Sequence, residues 1–233
     1  MNQLKKLKQK LNSLANPAQA AILQRFFKTG TGEYGSGDTF LGIYVPKQRE
    51  VAKKYLELTF GDIQKLLSSK IHEYRFVGLI ILTESFKRTT ESNQEKIYNF
   101  YLKNYRNINN WDLVDITCPN IVGNFLLSHP REILYDFARS NNLWKKRIAI
   151  ISTLSFIRQN QFTDTLKLSQ ILLKDKHDLI HKAVGWMLRE VGKRNVAVLL
   201  AFLNKYYSLM PRTMLRYAIE KLPEAKRRHY LKK

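Results

Sequence analysis

Apolar residues return every three to four positions along almost the whole chain, and this regularity predicts an all-α fold. At Phe76, Val77, Leu79, Ile80, Ile81 and Leu82 the apolar run is nearly unbroken, as expected of a helix buried on most sides. Further helical stretches read as 97–105, 111–127, 131–140, 144–159, 162–174, 179–192, 196–209 and 212–221. Breaks fall at Asn109-Asn110, His129-Pro130, Asn141-Asn142, Lys176 to Asp178, Met210-Pro211 and Leu222-Pro223. Asn and Asp suit the N-cap, and Pro suits the first turn. Helices of this length joined by short turns are expected to form antiparallel pairs.

The pairs repeat. Tyr74-Arg75-Phe76-Val77-Gly78, Trp144-Lys145-Lys146-Arg147-Ile148, Ile180-His181-Lys182-Ala183-Val184-Gly185 and Arg212-Thr213-Met214-Leu215-Arg216 each open a helix with cations and continue into an apolar run. The later starts lie roughly 32 to 37 residues apart, the range of helical repeats that stack only on their neighbours. The expected architecture is an α-solenoid over residues 1–233, a single domain with its cations in a stripe on the concave face. One segment departs from it, the glycine-rich loop Gly30-Thr31-Gly32-Glu33-Tyr34-Gly35-Ser36-Gly37-Asp38 and the apolar run Thr39 to Pro46. No Gly-Lys-Ser/Thr closes this loop, so it is not a P-loop. The run has no second strand to pair with and reads as an extended connection, with Pro46 starting the next helix.

Forty Lys and Arg against nineteen Asp and Glu give a net charge of +21 on a chain whose 44% hydrophobic content is globular. Such an excess opposes compaction unless an anionic partner uses it, and nucleic acid leads a membrane surface as that partner. The lone Cys118 excludes an intramolecular disulfide and a Cys-based zinc finger, and reads as a small buried hydrophobe. Lys5, Lys6, Lys8 and Lys10 precede no long apolar run, so no secretory signal is expected, and the expected compartment is cytoplasmic. His177 and His181 stand four apart, but His177 precedes its helix and no Glu or Cys accompanies the pair at a metal-site spacing; neither a metal nor a cofactor is expected. His72, His129 and His229 read as surface or turn residues. No Gly-x-Ser-x-Gly marks a hydrolase.

Asn110-Trp111-Asp112-Leu113-Val114-Asp115 is the most informative local feature. Trp111 and Asp115, four apart, share one helix face, and Asp112 sits in the first turn, where a carboxylate suits the helix dipole. Taken alone, the motif reads as a cap, a packing ring and a carboxylate paired with lysine. Arg147, early on a later helix, and Trp186, within the stretch Lys182 to Glu190, change that reading if adjacent pairs bring them to the same concave side. A tryptophan offers a face to sugar or base, an arginine clamps phosphate, and a carboxylate facing a polyanion is unwelcome unless it has a task.

The segments 29–49, 110–115, 143–150 and 180–190 together resemble the DNA alkylation repair enzymes of the AlkD type across nearly the whole chain. The resemblance implies a right-handed superhelix of HEAT-like repeats entered through the glycine-rich loop at about 29–46. It also implies a monofunctional DNA glycosylase that excises positively charged N3- and N7-alkylated purines from double-stranded DNA. By matching motif, Asp115 corresponds to the catalytic carboxylate, Arg147 to the phosphate-contacting arginine, and Trp111 and Trp186 to the aromatics that pack on sugar and backbone. Lys145, Lys146, Lys182, Arg189 and Arg212 are the expected DNA-binding cations, and the protein is expected to act as a monomer. Where the family pattern leads one to expect a tyrosine after an arginine, this chain has Arg25-Phe26-Phe27. The rival readings are a non-catalytic helical-repeat protein that binds DNA or structured RNA, and a protein-interaction scaffold using the same face. A membrane role ranks last.

Overall fold

The computed structural model describes residues 2–232, so Met1 and Lys233 of the expected 1–233 domain lie outside the described residues. Among the described residues its regular elements are all helices, apart from one isolated parallel bridge between Thr39 and Ile71. Contacts divide the chain into two compact units, the first running to Thr117 and the second from Cys118.

The first unit holds α1 (Gln3–Asn12), α2 (Pro17–Phe26), α3 (Val45–Ala52), α4 (Phe60–Leu67), α5 (His72–Lys87), α6 (Glu91–Lys103) and α7 (Trp111–Thr117). Its centre is α5, with thirteen of its sixteen residues buried and with α1, α3, α4, α6 and α7 packed around it. Burial on all sides accounts for the unbroken apolar run in its sequence. The helices begin as their capping residues dictate. Asn16 Oδ1 accepts from Gln19 N, and Thr59 Oγ1 accepts from Asp62 N. By contrast, α2 buries none of its own residues and leaves Ile22 and Phe26 exposed.

The run from Thr39 to Tyr44 is the extended connection expected, and Val45 with Pro46 then opens α3. It is sewn to the head of α5 by backbone bonds from Thr39 N to Lys70 O (2.9 Å) and from His72 N to Thr39 O (2.8 Å). Glu73, fully buried, accepts from Leu41 N, Gly42 N and Ile43 N at 2.9, 2.8 and 3.3 Å. Gly42 sits at φ +81°, and a Cβ there would lie 2.2 Å from Asn16 O and 2.6 Å from Ala20 N. Gly42→Ala is therefore expected to cost about 3 kcal/mol, from left-handed strain plus a backbone clash that cannot relax. Gly32→Ala, at φ +80° but in open space, is expected to cost about 1 kcal/mol. Denaturant unfolding of the two variants measures the difference; equal losses would show that the close approach to α2 contributes nothing.

The second unit begins with a π-helical turn, Pro119–Gly123, and continues through α8 (Glu132–Arg139), α9 (Leu143–Ser152), α10 (Leu154–Arg158), α11 (Thr163–Ile171), α12 (Asp178–Arg194), α13 (Val196–Tyr206), α14 (Arg212–Ile219) and α15 (Glu224–Leu231). Here the expected repeat is visible. The helices α9, α12 and α14 start 35 and 34 residues apart, and α12 packs against both of the others. The approach of α12 to α14 is close enough that a Cβ on Gly185 would lie 2.5 Å from Met214 O. Around this row, α8 packs on α9 and α11, and α13 on α12.

Two expected helices are broken. The stretch 111–127 ends as an α-helix at Thr117, because Pro119 has no N–H to donate, and Gly123 N closes a wider turn onto Cys118 O at 2.9 Å. The stretch 144–159 tightens at Thr153, whose N–H and hydroxyl both turn back to Ile150 O. Cys118 is buried as expected, its Sγ directed at Ile148 O. Among the described residues no helix is long and apolar enough to cross a membrane.

Candidate functional site

At the head of α7, Asn110 Oδ1 accepts from Trp111 N, and Asp112 Oδ1 accepts from Leu113 N, both at 2.8 Å. The second oxygen of Asp112 does more than cap, because it lies 2.7 Å from His72 Nε2. His72 Nδ1 lies 3.6 Å from Asp38 Oδ2. Asp38 in turn takes a hydrogen bond from Arg75 Nη2, and Arg75 Nη1 donates to Asn109 Oδ1 at 2.5 Å. Carboxylate, imidazole, carboxylate and guanidinium thus alternate in a buried line joining the entry loop, α5 and α7.

Burial alone would lower the His72 pKa, but the adjacent Asp112 carboxylate and the hydrogen bonds to Asp112 and Asp38 raise it from 6.5 to about 9. His72, 2% exposed, is therefore a buried imidazolium at neutral pH. Burial would likewise raise Asp38, but the His72 bond and the Arg75 charge outweigh it and hold this carboxyl below its ordinary value.

An aromatic row covers the charged line. The His72 ring stacks on Phe40 with centroids 4.6 Å apart, and Phe27 lies 5.1 Å from each of them. Phe27 also stacks on Trp111 at 5.3 Å and 22°, while Phe26 meets the Trp111 edge at 6.0 Å. Phe27 is buried; Phe26 is 61% exposed. Phe26, Phe27, Phe40, Tyr44, His72 and Asp112 are among the walls of a cavity of about 160 Å³. The chain thus keeps an aromatic wall where the family resemblance leads one to expect a tyrosine, but without the hydroxyl. An aromatic-walled cavity with a charged floor suits a flat or cationic group.

Of the expected site residues, Trp111 and Asp115 belong to the first unit, one turn apart on α7 and each partly exposed. The other seven belong to the second. Arg147 is buried, with Nη1 donating to the Leu179 carbonyl, and Trp186 Nε1 donates to Glu190 Oε1 at 3.1 Å. Most of the expected DNA-binding cations already hold acceptors. Lys146 pairs with Asp175 and Lys182 with Asp178, both at 2.6 Å, Arg189 pairs with Glu220, and Arg212 Nη1 donates to Leu231 O at 2.8 Å. Lys145 Nζ lies 5.2 Å from the Phe137 ring centre. The Lys182 pair is exposed on both sides, the kind of contact worth only about 0–1 kcal/mol and readily exchanged for phosphate.

Two readings of the sequence need correcting. His72 is neither a surface nor a turn residue, because the first turn of α5 is as buried as the rest of that helix. Arg75 is not an exposed cation of a phosphate stripe; it is 4% exposed and tied to Asp38 and Asn109. A signal for both was present: His72-Glu73-Tyr74-Arg75 leads without a break into residues that must be buried, so the charges at its head must be buried and paired too. His177 precedes α12 as expected and caps it, its Nδ1 accepting from Leu179 N at 3.1 Å. Among the described residues, no three His, Cys, Asp or Glu side chains gather in a metal-binding group.

The family model of the DNA alkylation repair enzyme matches residues 7–222. The fold is similar to that of a solved structure from Enterococcus faecalis described as a predicted DNA alkylation repair enzyme. That similarity has a TM-score of 0.71 at 18% identity, and it covers 90% of this chain and 97% of that one. No curated protein matches the chain.

Proposed function

Because the chain belongs to the DNA alkylation repair enzyme family, we propose that it is a monofunctional DNA glycosylase that removes positively charged N3- and N7-alkylated purines from double-stranded DNA. The observation that carries this reading is Asp115, one helical turn after a tryptophan whose ring is held by Phe27 on its face and Phe26 at its edge. A cationic alkylpurine needs no proton to leave. When the bond from C1′ to the purine nitrogen breaks, its electron pair neutralises the base, and positive charge builds on the deoxyribose. The Asp115 carboxylate stabilises that charge and orients a water, whose oxygen bonds to C1′ while its proton is lost to the carboxylate or to solvent. The face of Trp111 favours the same cation, and Trp186 is the backbone-packing aromatic that the family resemblance implies. Lys145, Lys146, Lys182, Arg189 and Arg212 hold backbone phosphates, and Arg147, the phosphate contact that the family resemblance implies, gives up its bond to Leu179 O to reach one.

The test is abasic-site formation on duplex DNA carrying a single 7-methylguanine, followed under single-turnover conditions with the full chain. Base release from the lesion, with none from the matching undamaged duplex, is the expected result. Salt-sensitive duplex binding with no base release would instead establish the non-catalytic reading, in which the same cations serve binding alone.

A further inference from the structure

We propose that a second recess of the first unit, walled by Ser36, Ser68, Lys70, Arg75, Arg106 and Asn109, is a binding site for a phosphate group. The site stands whether or not Asp115 catalyses excision. The cavity measures about 210 Å³, far above the roughly 10–15 Å³ that a single water requires.

Three cations face one carboxylate in its walls. The carboxylate, Asp38, is already engaged by Arg75 and His72. Lys70 and Arg106 are exposed and hold no carboxylate among the described residues. The Arg106 guanidinium lies 5.6 Å from the centre of the Tyr105 ring. Ser68 Oγ accepts from Gln64 Nε2 at 3.1 Å, which leaves its O–H to donate elsewhere.

The second, independent observation is Arg75 itself. Its Nη1 is taken by Asn109 and its Nη2 by Asp38, but Nε is buried with no acceptor among the described residues. A charged donor left this way is costly and rare in a well-packed interior. Nε has no accessible surface, so the guanidinium acts on the recess as a fixed, incompletely neutralised charge behind its wall, and a phosphate held by the exposed Lys70 and Arg106 side chains is the anion that suits it. The loop turns over the recess through Gly37 at φ +88°, which brings Ser36 and Asp38 to the same wall. A phosphate bound here would sit against Arg75, which reaches His72 through Asp38, so its occupancy would bear on the charged line beneath Trp111.

The phosphate could come from a nucleic-acid backbone or from a small soluble ester, and two probes separate these sources. The Nε–Hε resonance of Arg75 is followed in the full chain while either inorganic phosphate or a short undamaged duplex is added. Movement with duplex identifies a backbone phosphate, and movement with inorganic phosphate alone identifies a soluble one. The double variant Lys70→Gln/Arg106→Gln changes only exposed side chains and should melt as the wild type does. It is expected to abolish the movement. If the source is the backbone, it should also weaken duplex binding about 10-fold at low salt and reduce the salt dependence by about two phosphate contacts. The proposal is overturned if the Arg75 resonance stays still with both probes, or if it still moves in the double variant. Release of 7-methylguanine by the same preparations reports separately on excision.

Discussion

The Asp115→Asn protein is expected to release 7-methylguanine from duplex DNA on the order of 100- to 1000-fold more slowly than the wild type, the loss that follows removal of one preorganised electrostatic partner of a transition state. Asparagine keeps the size and hydrogen-bonding reach of the side chain and removes its charge. The base leaves as a neutral molecule, so the barrier lies in the positive charge gathering on the sugar, and only a charged oxygen opposes it effectively in a partly desolvated site. Affinity for undamaged duplex should stay within about twofold or rise slightly, since a negative charge facing a polyanion is lost. That split between rate and affinity distinguishes a catalytic carboxylate from a positioning one. Trp111→Phe should cost only about 10-fold, because a smaller ring retains part of the cation attraction. An Asp115→Asn protein that releases the base at the wild-type rate would remove Asp115 from the mechanism.

The all-helical class and the repeat interval of the second unit were legible in the sequence because helical periodicity and repeat spacing are local or regularly spaced properties. The starts of α9, α12 and α14 fall within the interval expected, and Asn16 and Asn142 cap helices as their type predicts. The buried line Asp112–His72–Asp38–Arg75 was not legible. Its partners are 34 to 40 residues apart along the chain, and nothing in either neighbourhood names the other. The break at Pro119 was missed for a different reason. Apolar spacing continues through it, and the lost helical bond is made good by a π-helical turn rather than by ending the run. Asp115 is proposed from its motif alone, whereas the clamp of Phe26 and Phe27 on Trp111 required the fold.

Replacing His72 by leucine is expected to destabilise the protein by about 3–5 kcal/mol, the cost of stripping a buried ion pair of one partner. The loss comes less from the missing attraction than from leaving Asp112 and Asp38 buried without the cation between them. The double variant His72→Leu/Asp112→Asn should therefore recover part of the stability, a non-additivity that a cavity in a neutral core would not produce. The same pair governs the response to pH. The folded His72 pKa, about 9, lies above its ordinary value of 6.5. Its contribution is therefore complete below about pH 6.5 and disappears as pH rises through about 9, a loss on the order of 3 kcal/mol. On the acid side, Asp38 lies below its ordinary 3.8, so its contribution holds above that pH and fades as pH falls below it. Urea unfolding from pH 4 to 10 should thus show a wild-type plateau that declines towards alkaline pH, and the difference between wild type and His72→Leu should narrow steadily between pH 6.5 and 9.5. A difference that stays constant across that interval would mean that His72 is neutral in the folded protein. It would then hold Asp112 by an ordinary hydrogen bond, and the aromatic cavity would have an anionic floor rather than a neutralised one.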